Sequence, residues 1–414
     1  MKRAGIHVLL ALLTTISLHA ETVAITGAVV HTMGPQGTIE DGTVVISDGR
    51  ISAVGSSVSI PSGARRIDAH GRIVTPGLFN SLTTLGIVEV SAVEESSDEA
   101  VKDDRITAAF DVRDAINPNS TLIPVNRIEG LTRVVVAPDP GNSAIAGQGA
   151  VIHLGMNGPL VIRAKVATFA SLGEKGAELS GGARGAAMLR LREALQDALD
   201  YAANRQAFDQ GNRRPYALSR LDLESLIPVV RGQQPLVVRV QRASDILSVL
   251  RLGNEFSLKL ILAGADEGWS VASEIAAAGV PVLVNPLDDL PISFERLGAT
   301  LENSARLVKA GVTVAFMTDD AHNARNVRQG AGNAVAYGMP WEAALAAMTS
   351  VPARIWGIAS SYGTLEAGKD ADVVIWDGDP LELTSYPEAV FIRGIQMPMT
   401  SRQTELRDRY KDLN

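Results

Sequence analysis

The chain has 414 residues, 46% of them apolar and 20% charged, with no cysteine, six histidines and a formal charge of −8. This composition excludes a disordered chain, a disulfide-stapled miniprotein, a polytopic membrane protein and a basic nucleic-acid binder. The histidines exclude more: His7, His19 and His31 lie in the first thirty-one residues and none falls between His153 and His322. A histidine-rich metal centre therefore cannot be built from the middle of the chain.

Residues 1–20 read as a secretory signal. Lys2 and Arg3 precede an apolar run from Val8 to Leu18, and Ala20 stands before Glu21. The run is too short for the roughly 20 residues of a bilayer span. Cleavage there predicts a secreted or periplasmic protein with no membrane partner; an uncleaved tether is the alternative, because Leu18 is large for its place three residues before the cut. Loss of Lys2 and Arg3 takes the net charge from −8 to −10, which also argues against nucleic-acid partners.

Residues 21–75 alternate in short β steps, with Asp48-Gly49 as a hairpin dipeptide between two β-branched runs. From residue 76 to 361 apolar strands alternate with amphipathic helices. Strands are expected at 77–80, 132–137, 150–154, 161–166, 236–240, 258–262, 280–284 and 312–316, and helical spacing recurs at 191–202 and 246–250. Eight strands in that order predict an α/β fold of the (β/α)8 TIM-barrel type, with a parallel sheet. Residues 94–105, with six acidic and two basic side chains, read as a solvated loop or helix face, and the Gly-rich residues 170–185 as a mobile loop at the barrel mouth. Short strands return over 362–401 and are expected to pair with 21–75 in one composite β domain, leaving 402–414 as a polar tail.

Four segments carry a family resemblance: DGRISAVG (48–55), IDAHGRIVTPGL (67–78), GVTVAFMTDD (311–320) and LEAGKDADVVIWDGDPLE (365–382). With them the chain resembles the amidohydrolase superfamily, in the branch similar to imidazolonepropionases and related secreted amidohydrolases, from about residue 23 to about residue 394. The resemblance implies a barrel plus a β-sandwich built from both chain ends, oligomerisation, and hydrolysis of C–N bonds other than peptide bonds. It also implies zinc or another divalent metal held by histidines on strands 1, 5 and 6 and an aspartate on strand 8, sometimes with a carboxylated lysine on strand 4. Such a metal lowers the pKa of its water from 15.7 to about 7.

Set against that pattern, the ligand positions have changed. Strand 1 reads Pro76-Gly77-Leu78-Phe79-Asn80-Ser81-Leu82-Thr83-Thr84, so Leu82 and Thr84 stand where its two histidines belong. Arg239 and Gln241 replace the pair on strand 5, and Ala263 replaces the histidine of strand 6. Asp319 alone keeps its acid, and Lys165 stands where the carboxylated lysine is expected. The resemblance thus predicts Asp319 as the catalytic carboxylate, Arg239, Gln241, His322 and Lys165 as substrate contacts, and no bound metal or other cofactor. The residues leave alternatives: an ion pair of Asp319 with Arg239 or Arg242, an ion pair of Lys165 with an acid, and a solvent-facing His322. Gly147-Gln148-Gly149 resembles a segment that approaches the site in this branch.

Two functional readings stay open. One is a hydrolase of non-peptide C–N bonds whose metal-dependent activity is weak or lost. Without metal, hydroxide availability falls by about 8 to 9 pKa units, on the order of 12 kcal/mol, whereas one general base contributes about 10²- to 10⁴-fold. The other is a metal-free pseudoenzyme that binds a small molecule or scaffolds an active amidohydrolase paralogue. A third, metal-independent chemistry through Asp319, Arg239 and Lys165, would suit an anionic substrate clamped by arginine.

Overall fold

The computed structural model describes residues 21–411; the signal-like residues 1–20 and residues 412–414 lie outside the described residues. Among the described residues no helix is long and apolar enough to cross a membrane.

Both chain ends enter one eight-stranded sheet. Thr38–Ser47 and Arg50–Gly55 form its hairpin. Asp48 (φ 51°) and Gly49 (φ 78°) both take the left-handed conformation at the turn, as a tight two-residue loop requires. Val23–His31 pairs with this hairpin on one side and with Ile73–Pro76 on the other. Val373–Trp376 then adds antiparallel to Ile73–Pro76, followed by Pro387–Ile392. Alternate residues, among them Val23, Ile25, Val44, Ile46, Val373, Ile375 and Phe391, bury one apolar face, the period-2 pattern of a half-covered sheet. Strands from residues 23–76 and 373–396 thus share one sheet.

The remaining strands form two sheets in a mixed α/β arrangement. In the first, Leu78–Thr83 runs parallel to Leu131–Val136, which pairs antiparallel with Ala150–His153, and that with Val161–Arg163. In the second, Thr168–Ser171, Leu236–Val240, Leu260–Gly264, Val282–Val284 and Val314–Phe316 run parallel in that order, with Ile145–Gln148 antiparallel on the outer edge. The expectation of an all-parallel sheet therefore fails at residues 145–153, and two strands, 145–148 and 168–171, escaped the sequence pattern. Gly147 and Gly149 explain the break. Gly147 holds φ 136° beside the Phe110 carbonyl, and a Cβ on Gly149 would lie 2.5 Å from the Phe169 ring and 2.7 Å from the Val136 carbonyl. The GQG segment thus serves close strand packing.

One face of both sheets shares a core: Phe79, Leu82, Val135, Val151, Phe169, Val237, Ile261, Ala263, Leu283, Ala315 and Met317 pack together with Trp356 and Tyr362. The opposite faces pack against helices. Arg184–Asp209 contributes Leu191, Ala194, Leu195 and Ala198, and Ala243–Glu255 contributes Ile246, Val249 and Leu252, at the i, i+3, i+4 spacing of an amphipathic helix. Residues 170–185 are not a loop. Thr168–Ser171 is a buried strand, Gly173–Glu178 is a helix, and only residues 179–183, with Gly181 and Gly182 exposed, separate it from Arg184–Asp209. Small side chains hid a backbone that pairs with neighbouring strands, the Ser171 N–H donating to Ala144 O and the Leu172 N–H to Arg239 O. The polar tail also orders: Arg402–Tyr410 is a helix whose capping box joins Ser401 and Thr404.

The GKDAD segment fastens the chain-end sheet to the rest. Arg133, fully buried on the strand Leu131–Val136, donates through Nε to Asp372 (2.9 Å) and through Nη2 to Asp370 (2.7 Å), and lies 4.5 Å over the Tyr362 ring. Removing one carboxylate leaves a guanidinium buried without its counter-charge. Asp372→Ala is expected to cost about 3–5 kcal/mol in urea unfolding; a loss below about 1 kcal/mol would show that the clamp contributes little.

Candidate functional site

The C-terminal ends of the parallel strands bring together residues far apart in sequence. Arg239 shares strand parity with Val237, which lies in the common core, while Val238 and Val240 face the helices. Its guanidinium grips Asp319 with both terminal nitrogens, Nη2 donating to Oδ1 at 2.8 Å and Nη1 to Oδ2, and Nη2 also lies 3.4 Å from Asp139 Oδ1. Asp319 sits just past the strand Val314–Phe316 with φ 62°, its N–H donating to Leu82 O at 3.1 Å. A left-handed aspartate is an uncommon backbone state; here it turns the chain so that the carboxylate meets Arg239. Of the alternatives for Asp319, the ion pair with Arg239 is the one formed. Arg242 instead bonds Asp245.

The other expected residues divide. His322 lines the same open basin as Asp319, with Nδ1 3.8 Å from Asp320 Oδ1 and its side chain 38% exposed. Gln241 is buried and turned away: a Cβ on Gly264 would lie 2.1 Å from its Oε1, an oxygen that has no hydrogen-bond partner. Lys165 is remote. It precedes the strand Thr168–Ser171, whose first residue pairs with Leu236, so it stands at the opposite end of the strands from Arg239, beside Gln148, Glu224 and Gln234. The expectation placed Lys165 on strand 161–166, but pairing puts the wall strand at 168–171 and leaves Lys165 in the turn before it, with φ 51°. Leu82 and Ala263, at 1% and 0% exposure, belong to the apolar core, and Thr84 is buried at the edge of the basin.

Three contributors escaped the sequence reading. Asp139 follows the strand Leu131–Val136, Glu99 comes from the acid-rich segment, and Asp288 follows Val282–Val284. Their available signal was position just beyond a strand's C-terminal end, where such folds gather function; Glu99 had none. Burial, then the neighbouring Asp319, pushes the Asp139 carboxyl up against the opposing pull of Arg239. Burial and Asp139 raise Glu99. For Arg239 burial would lower the pKa, but Asp319 and then Asp139 outweigh it and hold the guanidinium above its ordinary value. The basin is about 520 Å³, lined by Glu99, Asp139, Asp319, Asp320 and His322. With its guanidinium engaged by two carboxylates, Arg239 leaves little for an anionic substrate. Among the described residues no three His, Asp or Glu side chains are grouped as metal ligands.

Comparison with known proteins places this geometry in a family. The model of the Amidohydrolase family matches residues 259–401. An amidohydrolase of Thermotoga maritima MSB8 superposes with a TM-score of 0.81 at 26% identity, over 92% of this chain and 100% of that one. The chain belongs to the amidohydrolase superfamily. Amidohydrolase tasK of Hapsidospora irregularis is 24% identical over 390 residues, which is 85% of this chain but 39% of that longer protein. An imidazolonepropionase of Mycolicibacterium smegmatis is 44% identical over 48 residues, 12% of each chain.

Next to this superfamily site lies Asp266, 3% exposed, whose Oδ2 is 3.0 Å from Arg296 Nε without forming a hydrogen bond. Burial pushes its carboxyl up to about 7, against the pull of Arg296. The folded state then binds more protons than the unfolded one between about pH 4 and pH 7, so stability falls as pH rises through that window. Asp266→Asn is expected to remove up to ~4 kcal/mol of that decline, read as a flatter dependence of unfolding free energy on pH. An unchanged slope would show that Asp266 is ionised throughout. Arg239→Met leaves Asp139 and Asp319 facing each other and is expected to cost on the order of 2 kcal/mol at pH 7, the buried-pair cost reduced for partial exposure. Arg239→Met with Asp319→Leu should recover most of it in the same urea titration; no recovery would mean that packing, not charge, was lost.

Proposed function

We propose that this chain is a metal-free member of its superfamily that binds a small, positively charged molecule in the strand-end basin and works beside a hydrolytically active amidohydrolase. One observation carries the reading: the Arg239 guanidinium, lodged between Asp319 and Asp139, stands where the resemblance expects a metal-ligating histidine. A cation that stays protonated repels a divalent metal and neutralises the carboxylates that would attract one. Leu82 and Ala263 offer no donor atom, and Gln241 faces away from Asp319's basin. These residues do not fit a metal, so the hydrolytic water of the family has no activator here. Four carboxylates and one histidine around the basin favour an ammonium, amidinium or guanidinium group over an anion.

The scaffold is read as one closed (β/α)8 barrel with a β-sandwich from both chain ends. The shared core and the hydrogen bond from Asp319 N to Leu82 O, which ties the last strand's exit to the first strand, support closure. An active partner is supported by length and surface. The tasK relative carries more than half its length outside the matched region. In the loop after Val282–Val284, Leu290, Ile292, Phe294 and Leu297 are 64–82% exposed, an apolar patch of the kind that marks assembly. The signal-like N-terminus supports a secreted or periplasmic setting.

Metal analysis of the purified mature protein, with calorimetric zinc titration, tests the metal-free reading. Less than about 0.1 zinc per chain and no tight titration are expected; near-stoichiometric zinc would overturn it and restore a hydrolase. Sedimentation of the chain mixed with an active amidohydrolase paralogue tests the partner. A mixed assembly is expected, loosened about tenfold or more by Phe294→Asp, whereas separate sedimentation of the two chains would refute it.

A further inference from the structure

Residues 89–106, which include the acid-rich segment, form a strap along one edge of the basin, to which they contribute Glu99. Both ends of the strap are fixed. Ile87 and Val88 before it and Ala108 after it lie in the core packed against the helices, and the Thr107 and Ala109 N–H groups donate to Asp222 Oδ1 at 3.0 and 2.8 Å. Between these anchors no side chain from 89 to 106 belongs to an apolar core, and Val90, Val93 and Ile106 are exposed. Backbone bonds hold the strap instead. The Asp98 N–H donates to Ile87 O at 2.8 Å and the Glu89 N–H to Ser96 O at 3.0 Å; on the far side the Asp139 N–H donates to Glu99 O at 2.8 Å and the Asn142 N–H to Val101 O at 3.1 Å. Residues 98–101 thus cross from the exit of the strand Leu78–Thr83 to the exit of the strand Leu131–Val136. A segment with few buried apolar contacts, held by hydrogen bonds near the surface, opens without global unfolding.

Gly141 permits the closed position. A Cβ there would collide with the Val101 carbonyl oxygen, although the backbone of Gly141 is not left-handed, so space alone demands glycine. Closure also has an electrostatic cost, because it sets Glu99 near Asp139 and Asp319. Burial first, and Asp139 next, push the Glu99 carboxyl up accordingly. The strap's own cations give no relief: Lys102 pairs with Glu94 and Arg105 with Asp103, and none of these four lines the basin. Arg239 is engaged by Asp319 and Asp139.

We infer that residues 89–106 are a gate over the basin: repulsion of Glu99 by Asp139 and Asp319 opposes its closure, and a cation bound among the three carboxylates locks it. The lock rests on the cation reading of the basin; the repulsion does not. A cation gains more from the closed state, which supplies one carboxylate more, and so shifts the strap toward closure. By linkage, a change that props the strap open weakens the cation by the same factor.

The test is backbone hydrogen exchange of the full mature protein, read by mass spectrometry at about pH 8, above the ordinary carboxylate range. Peptides covering 89–106 and 138–143 report the strap, and one covering Val373–Trp376 is the reference. Methylguanidinium serves as the cation and N-methylurea as a neutral compound of the same shape, with binding of each followed by calorimetry. Methylguanidinium should slow exchange in both strap peptides about fivefold or more and leave the reference unchanged; N-methylurea should change none of them. Glu99→Gln removes the repulsion at constant size and should slow exchange in the same two peptides with no ligand present. Gly141→Ala should speed it and weaken methylguanidinium by a matching factor; Glu99→Gln decides the matter if Gly141→Ala does not fold. Methylguanidinium binding with strap exchange unchanged, or Glu99→Gln exchange no slower than that of the parent chain, would overturn the gate. Slower exchange in Glu99→Gln without any methylguanidinium binding would support the charge-opposed gate and refute the cation reading of the basin alone.

Discussion

The bond between Arg239 and Asp319 joins the strand Leu236–Val240 to the exit of the strand Val314–Phe316, across the ends of the parallel strands. Its geometry depends on what lies beneath and beside it. Leu82 and Ala263 close the core below with apolar atoms, so the guanidinium rests on a surface that gives it no hydrogen bond. The left-handed turn at Asp319, held by its bond to Leu82 O, brings to it the carboxylate that accepts from both terminal nitrogens, with Asp139 at 3.4 Å as a second acceptor. A planar fork meeting a carboxylate with two nitrogens is the best-matched charge pair a protein can make, and here it compensates for a partly buried cation that would otherwise be costly.

That pairing sets the electrostatics of its surroundings. Asp139, Glu99 and Asp288 crowd the same guanidinium or one another, and burial lifts all three carboxyls. One arginine cannot neutralise four acids. The surplus of negative charge supports the proposed cation in the basin rather than the anion that an arginine alone suggests. Burial above all lifts Asp266, a nearly inaccessible acid that shares Arg296 with Asp288.

A second buried arginine serves the other side of the molecule. Arg133 engages Asp370 and Asp372 of the GKDAD segment and so couples the chain-end sheet to the strand beside Leu78–Thr83. That motif was legible as a family mark, and the structure gives its physical content: two aspartates spaced to serve one guanidinium. Arg239 and Arg133 are both strand residues at odd parity with apolar neighbours, yet one supports a site and the other a domain junction.

The sequence by itself determined the mixed α/β class, the hairpin at Asp48-Gly49 and most strands, because apolar periodicity and turn chemistry are local. The family resemblance led to the expectation that Leu82, Thr84, Arg239, Gln241 and Ala263 stand at ligand positions. Only the tertiary structure showed where those side chains lie: Leu82 and Ala263 in the apolar core, Arg239 against Asp319. Strand 168–171 was hidden because burial on both faces gives no alternation, and its placement moved Lys165 to the far end. Asp139 and Glu99 lie 100 and 140 residues before Arg239 in a chain whose charges are mostly solvated, so no spacing could reveal them. Charges act through distance in space, and that distance exists only once the strands have been set side by side.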